Sequence, residues 1–109
     1  MEKRKPHYDL KMFKVLFASA STRLITQAAK KNAVSLGVMD ESDMVAIVNQ
    51  LDKPHFYKSM TAYSDYTIWQ DVYRFQDDLD NQIYIKIQFS VDGQKAVLVQ
   101  FKRDEGRKK

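Results

Sequence analysis

The sequence predicts an α+β fold in which three amino-terminal helices pack on an antiparallel β-sheet. Apolar residues recur at spacings of three and four between Leu10 and Leu51, then alternate with polar ones between Phe56 and Phe101, and Pro54 lies at the change.

The first helix follows Pro6. Leu10, Phe13, Leu16 and Phe17 form its apolar face, and Asp9 is placed to cap its amino end. A second helix is expected to start at Ser21 or Thr22 and run to about residue 36, with Ile25, Ala28, Ala29 and Leu36 inward and Gly37 as its stop. Asp40, Glu41 and Asp43 mark a third helix, because negative charge favours the positive end of a helix dipole. Met44, Ile47, Val48 and Leu51 then share one buried face, and Pro54 ends the element.

From His55 the period becomes two. Phe56, Lys58, Met60 and Ala62 alternate with Tyr57, Ser59, Thr61 and Tyr63 in one strand. Ser64 and Asp65 signal a turn; residues 68–75 read as a second strand with Gln70 on the face of Ile68 and Val72, and residues 76–81 as an acidic loop.

The final hairpin alternates most cleanly. Ile83, Ile85, Ile87 and Phe89 occupy one face and Tyr84, Lys86 and Gln88 the other, while Val97, Val99 and Phe101 are expected inside, opposed to Ala96, Leu98, Gln100 and Lys102. A two-residue Asp92-Gly93 turn would set Ile83 against Lys102 and Ile85 against Gln100, driving polar groups into the core. The expected loop is therefore Val91-Asp92-Gly93, which pairs Ile83 with Phe101, Ile85 with Val99 and Ile87 with Val97. That register sets Tyr84 opposite Gln100 and diagonal to Lys102; a loop at residues 92–94 would set Tyr84 directly opposite Lys102. Either one gathers Tyr84, Lys86, Gln100 and Lys102 on a polar, basic face.

Composition bounds the function classes. The 109 residues suit a single domain, 1–109, and 44% apolar with 29% charged residues is globular composition. The absence of cysteine excludes disulfides, thiol nucleophiles and thiolate metal sites, and His7 and His55 lie far apart in sequence, so no metal or other cofactor is expected. The opening MEKRKPHYDL lacks an apolar signal core and no run of about 18 apolar residues follows, which predicts a cytoplasmic protein. The net charge of +4 and pI near 9.3 favour an acidic partner, nucleic acid above all, unless the basic runs at residues 3–5 and 107–109 are solvated tails.

The stretch from Phe56 to Arg74 mixes Tyr57, Tyr63, Tyr66, Trp69 and Tyr73 with Lys58, Gln70, Asp71 and Arg74, a combination suited to stacking bases and holding phosphate, although aromatics also fit pleated strands. RNA cleavage without metal needs a group that takes the 2′-hydroxyl proton, charge that stabilises the phosphorane, and an acid for the leaving 5′-oxygen. His7 and His55 are one candidate pair, or else surface and cap residues. Lys58, Gln70, Tyr84, Lys86 and Lys102 are the other candidate set. A lysine titrates near 10.4, about three units too high for a base at neutral pH unless burial or neighbouring cations lower it, and lysines on an open strand face also serve solubility.

The segment FYKSMTAYSDYTIWQDVYR, the opening MEKRKPH and the later IYIKI and VQFK pieces resemble the MqsR family of bacterial toxins, whose partner is the MqsA antitoxin. The likeness covers most of the chain, and is weaker in the helices and in the acidic loop. It implies a small RelE-like ribonuclease fold and a ribosome-independent mRNA endoribonuclease, an mRNA interferase, which cuts single-stranded mRNA at GCU-like sites and arrests growth unless its antitoxin neutralises it. The family's catalytic lysine in FYKSM falls on Lys58, its glutamine in IWQDVY on Gln70, its tyrosine before LKI or IKI on Tyr84, and the lysine after phenylalanine in its last strand on Lys102. Ile85, the acidic loop and the basic tail after Lys102 depart from the family pattern, and they bear on sequence preference and antitoxin fit more than on catalysis.

The expected reaction is metal-free transesterification through the 2′-hydroxyl. Lys58 and Lys102 would hold phosphate charge, with one of them a candidate base; Tyr84 would transfer or orient a proton, and Gln70 would hydrogen-bond RNA. Tyr57, Met60, Tyr63, Arg74 and Lys86 are expected along the substrate cleft. The alternative is a non-catalytic nucleic-acid-binding subunit of a toxin–antitoxin repressor complex, which would not require Lys58, Gln70, Tyr84 and Lys102 together.

Overall fold

The structure, a computed structural model, describes residues 1–106, so the basic run at 107–109 lies outside the described residues. The chain opens with a two-residue strand, β1 (Glu2–Lys3). Helix α1 (Leu10–Phe17) starts where expected, with the Asp9 side chain accepting the Met12 N–H at 3.2 Å and Phe13 and Phe17 buried.

The second helix departs from expectation. Residues 20–22 form a short 3₁₀ turn, Arg23–Ile25 is a strand (β2), and α2 (Gln27–Val34) begins four or five residues late, capped by Thr26. The physical reason is pairing: β2 hydrogen-bonds in parallel to the last strand, and the Thr26 hydroxyl accepts the Ala29 N–H at 3.1 Å. Ala29 and Ala33 face inward, whereas Ala28 is exposed. Gly37, at φ 81°, ends the element as expected: its N–H reaches Val34 O and the Val38 N–H reaches Ala33 O, each at 3.0 Å. Helix α3 (Glu41–Gln50) buries Met44, Ile47 and Val48, and a capped turn at Lys53–His55 holds Pro54 before the sheet begins.

Four strands follow: β3 (Phe56–Thr61), β4 (Trp69–Gln76), β5 (Gln82–Phe89) and β6 (Ala96–Arg103). The sheet order is β1-β3-β4-β5-β6-β2, antiparallel except where β2 joins β6, so the sheet is mixed rather than wholly antiparallel. Tyr73, Phe75, Ile83, Ile85, Ile87, Leu98 and Phe101 project from one face onto Phe13, Phe17, Ala29, Ala33, Val48 and Leu51 of the helical layer. Burying each large side chain contributes about 1.5–3 kcal/mol, which fixes which face of the sheet the helices cover. No helix among the described residues is long and apolar enough to cross a membrane.

The hairpin register corrects the sequence reading. Phe89 pairs with Ala96 and Ile87 with Leu98; the ladder then shifts by one residue, so that Lys86 pairs with Gln100, Ile85 with Phe101, Tyr84 with Lys102 and Ile83 with Arg103. The connection spans residues 91–94, closed by Ser90 N–H to Lys95 O at 2.9 Å, with Gly93 at φ 73°. A bulge at Val99 admits Ala96, Leu98 and Phe101 to the core together and leaves Val97 and Val99, expected inside, half-buried. The Ile83–Phe101, Ile85–Val99 and Ile87–Val97 pairs therefore do not form. The Val99 carbonyl accepts the Thr26 hydroxyl at 2.7 Å, which ties the bulge to the start of α2.

Candidate active site

Strand register builds the face opposite the helices. One row across it reads Lys58, Val72, Lys86, Gln100; the next reads Arg74, Tyr84, Lys102; on the other side Met60 stands opposite Gln70. Neighbouring strands lie about 4.8 Å apart, so the backbones of Lys58 and Lys86 are separated by roughly 10 Å and their long side chains can converge. Tyr57, Lys58, Arg74, Tyr84 and Lys102 line a recess of about 270 Å³, together with Arg103, Asp104, Glu105 and Gly106 where the chain leaves β6.

The charges in this recess differ in state. Lys58 Nζ lies 2.7 Å from Glu2 Oε2, and this hydrogen bond raises the lysine's pKa, so Lys58 remains an ammonium and cannot serve as a base near neutrality. Lys86 is half-buried, and burial together with the charges of Lys102 and Lys58 lowers its pKa. Burial raises the Tyr84 pKa, keeping its phenol protonated. The Lys86 and Lys102 ammoniums stand 5.8 and 5.2 Å from the centre of the Tyr84 ring, and its hydroxyl is 4.0 Å from Met60 Sδ. The Arg74 guanidinium carbon lies over Tyr57, 3.6 Å from the ring centre, while its Nε pairs with the buried Asp104 carboxylate at 2.9 Å.

Gln70 shares this face but not the recess. It is 8% exposed, and its Nε2 donates to Gln88 Oε1 at 2.7 Å, so it braces the floor beside Met60. Tyr63 and Tyr66 are exposed on the connection between β3 and β4 and line none of the recess. The histidine pair is not assembled. His7 stacks on Trp69 at 5.6 Å with its Nδ1 2.9 Å from Lys3 Nζ, and both burial and Lys3 lower its pKa. His55 accepts the Asp52 N–H at 2.9 Å as a turn cap and packs edge-on against Phe75. The hollows that the two histidines line have no residue in common, and only that of His55 adjoins the recess lined by Lys58 and Lys102, through Tyr57 and Arg74. Among the described residues no three His, Asp or Glu side chains gather to hold a metal ion.

Sequence reasoning missed Glu2 and the work of Asp71. Strand β1 sets Glu2 opposite Met60 and Lys3 opposite Ser59. The chain beyond it is pinned by Asp71, fully buried on β4, whose carboxylate accepts the His7 N–H at 3.0 Å and the Tyr8 N–H at 2.9 Å. Tyr8 donates its hydroxyl to Trp69 O at 2.7 Å, and Lys3 Nζ sits 4.2 Å from the Trp69 ring centre. The signal was present in MEKRKPH and IWQDVYR, but a two-residue strand carries no periodicity.

The family model described as motility quorum-sensing regulator, toxin of MqsA, matches residues 5–103. The mRNA interferase toxin MqsR of Escherichia coli strain K12 is 43% identical over 102 residues, covering 94% of this chain and 98% of that protein. With a match over nearly the whole length of both, the chain belongs to the MqsR family, the toxin partners of MqsA.

Proposed function

We propose that this protein is the toxin of a type II toxin–antitoxin system, an endoribonuclease that cuts single-stranded mRNA at GCU-like sites without the ribosome and without metal. The observation that carries the reading is the convergence of Lys58, Arg74, Tyr84 and Lys102 on one open recess. A docking surface for RNA needs cations and stacking groups, but not a protonated phenol set among ammoniums.

In this reading residues 1–109 act as one RelE-like domain in the cytoplasm, held inactive by an MqsA-like antitoxin. The scissile phosphate enters between Lys58 and Lys102, whose charges stabilise the phosphorane as it forms. The substrate 2′-oxygen attacks phosphorus, the bond to the 5′-oxygen breaks, and Tyr84, kept protonated by burial, supplies the leaving oxygen with a proton. The products are a 2′,3′-cyclic phosphate and a 5′-hydroxyl. Lys86 adds charge at the centre of the face, Tyr57, Met60 and Arg74 bound the path of the strand, and Gln70 acts through Gln88 and the floor.

The test incubates pure protein with a GCU-containing single-stranded RNA in excess EDTA, without ribosomes. Cutting is expected to continue. Loss of all cutting on chelation sinks the metal-free route, and RNA binding without cutting under any condition makes the protein a binding subunit.

A further inference from the structure

Resting on that reading, we propose that Glu2 is the proton acceptor of the site, brought to Lys58 by the pinned amino-terminal arm. Lys58 leaves this role open, because it is held 2.7 Å from Glu2 as an ammonium with no lone pair to take the 2′-hydroxyl proton. Lys86, whose pKa is lowered, does not line the recess. Three carboxylates stand at the recess: Asp104 and Glu105 line it, with Asp104 buried in its ion pair with Arg74 and Glu105 exposed at the rim, and Glu2 alone of the three is hydrogen-bonded to Lys58. The side chain of Glu2 is 49% exposed, with an oxygen 2.7 Å from Lys58 Nζ and a second oxygen available to a ligand.

The arm is built to deliver that carboxylate. Pairing of β1 with β3 sets Glu2 opposite Met60, on the polar face and diagonal to Lys58. Buried Asp71 fixes the far end of the arm, and Arg4 Nη1 reaches Tyr57 O at 3.5 Å between the two anchors. An exposed ion pair alone is worth little to stability, about 0–1 kcal/mol, so an arm anchored at several points is better explained by what it positions. Lys58 faces Glu2 from β3, and Arg4 and the Met1 amino group face it from the arm; the hydrogen bond from Lys58 leads these in keeping the carboxyl ionised below the usual glutamate range.

The proton balance closes. Glu2 takes the proton of the 2′-hydroxyl as the oxygen–phosphorus bond forms, Tyr84 gives its proton to the departing 5′-oxygen, and proton return from Glu2 through solvent to Tyr84 resets the site. Lys58 then has two tasks, orienting the carboxylate and meeting the phosphate.

Single-turnover cleavage by wild type and Glu2→Gln, with RNA affinity measured in parallel, tests this. The glutamine oxygen can still accept from Lys58 but cannot take a proton at neutral pH. The expected result is a loss of cleavage rate of about 10²–10³-fold with RNA bound as tightly or more tightly, and loss of the wild-type acid limb of the pH–rate profile. Glu2→Asp should restore part of the rate and the limb. Wild-type rate and pH profile in Glu2→Gln overturn the assignment while leaving the ribonuclease reading intact, whereas a wild-type protein that does not cut defeats that reading itself.

Discussion

Tyr84 and Lys102 stand directly opposite one another across β5 and β6, with the lysine ammonium 5.2 Å from the centre of the tyrosine ring. The pairing depends on the bulge at Val99, which lets Phe101 turn inward and Lys102 outward. Both polar groups reach the same recess as Lys58.

Tyr84→Phe, Lys58→Ala and Lys102→Ala should therefore each reduce RNA cutting by about 10²–10³-fold. Stability should change by no more than about 1 kcal/mol, because none of the three is fully buried. Single-turnover cleavage and urea unfolding of the same preparations separate the two effects. Variants that lose activity only by unfolding would dissolve the grouping.

Asp71→Ala removes the acceptor that holds the His7 and Tyr8 N–H groups and should cost about 2–4 kcal/mol in urea unfolding. Cutting should fall as well, since the arm bearing Glu2 is released. An unchanged midpoint would mean that the arm holds itself.

Lys86 carries a stability penalty for its charge. Its folded-state pKa lies below the unfolded one, so the unfolded chain binds the proton more tightly and stability rises as pH climbs toward the unfolded value of 10.5. Lys86→Gln should be slightly more stable than wild type at pH 7 and low salt, by under about 1 kcal/mol, with the gain shrinking in high salt and above pH 10.5. The same change should weaken RNA binding and reduce its salt slope by about 0.7. Thermal melts across pH and salt, and binding titrations, read both.

Thr26 donates to Val99 O at the bulge and accepts the Ala29 N–H as the cap of α2. Thr26→Ala should cost about 1–2 kcal/mol, and Thr26→Ser should recover most of it, as urea midpoints will show. A full-cost Ser variant would point to the methyl group instead of the hydroxyl.

Long periodic segments were readable from sequence because many residues vote on one period: α1, α3 and the four long strands lie within a residue or two of expectation. The grouping of Lys58, Tyr84 and Lys102 followed from strand parity and from the family motifs. Strands β1 and β2 are too short to show a period, and β2 is held by long-range pairing with β6. One extra residue at Val99 shifts strand parity, so inward Val97 and Val99 were the natural expectation and half-buried ones the outcome. Gln70 illustrates a further limit, since its face was correctly read but not its partner Gln88. His7 and His55 were candidates by chemistry alone, and residue type says nothing about distance.

The chemical ends of the RNA fragments test the central claim most directly. Wild-type protein in EDTA should leave a 5′-hydroxyl and a 2′,3′-cyclic phosphate at each cut, and Tyr84→Phe should yield the same ends far more slowly. Fragments ending in a 3′-hydroxyl and a 5′-phosphate would contradict it, because attack by water would then have replaced attack by the 2′-oxygen.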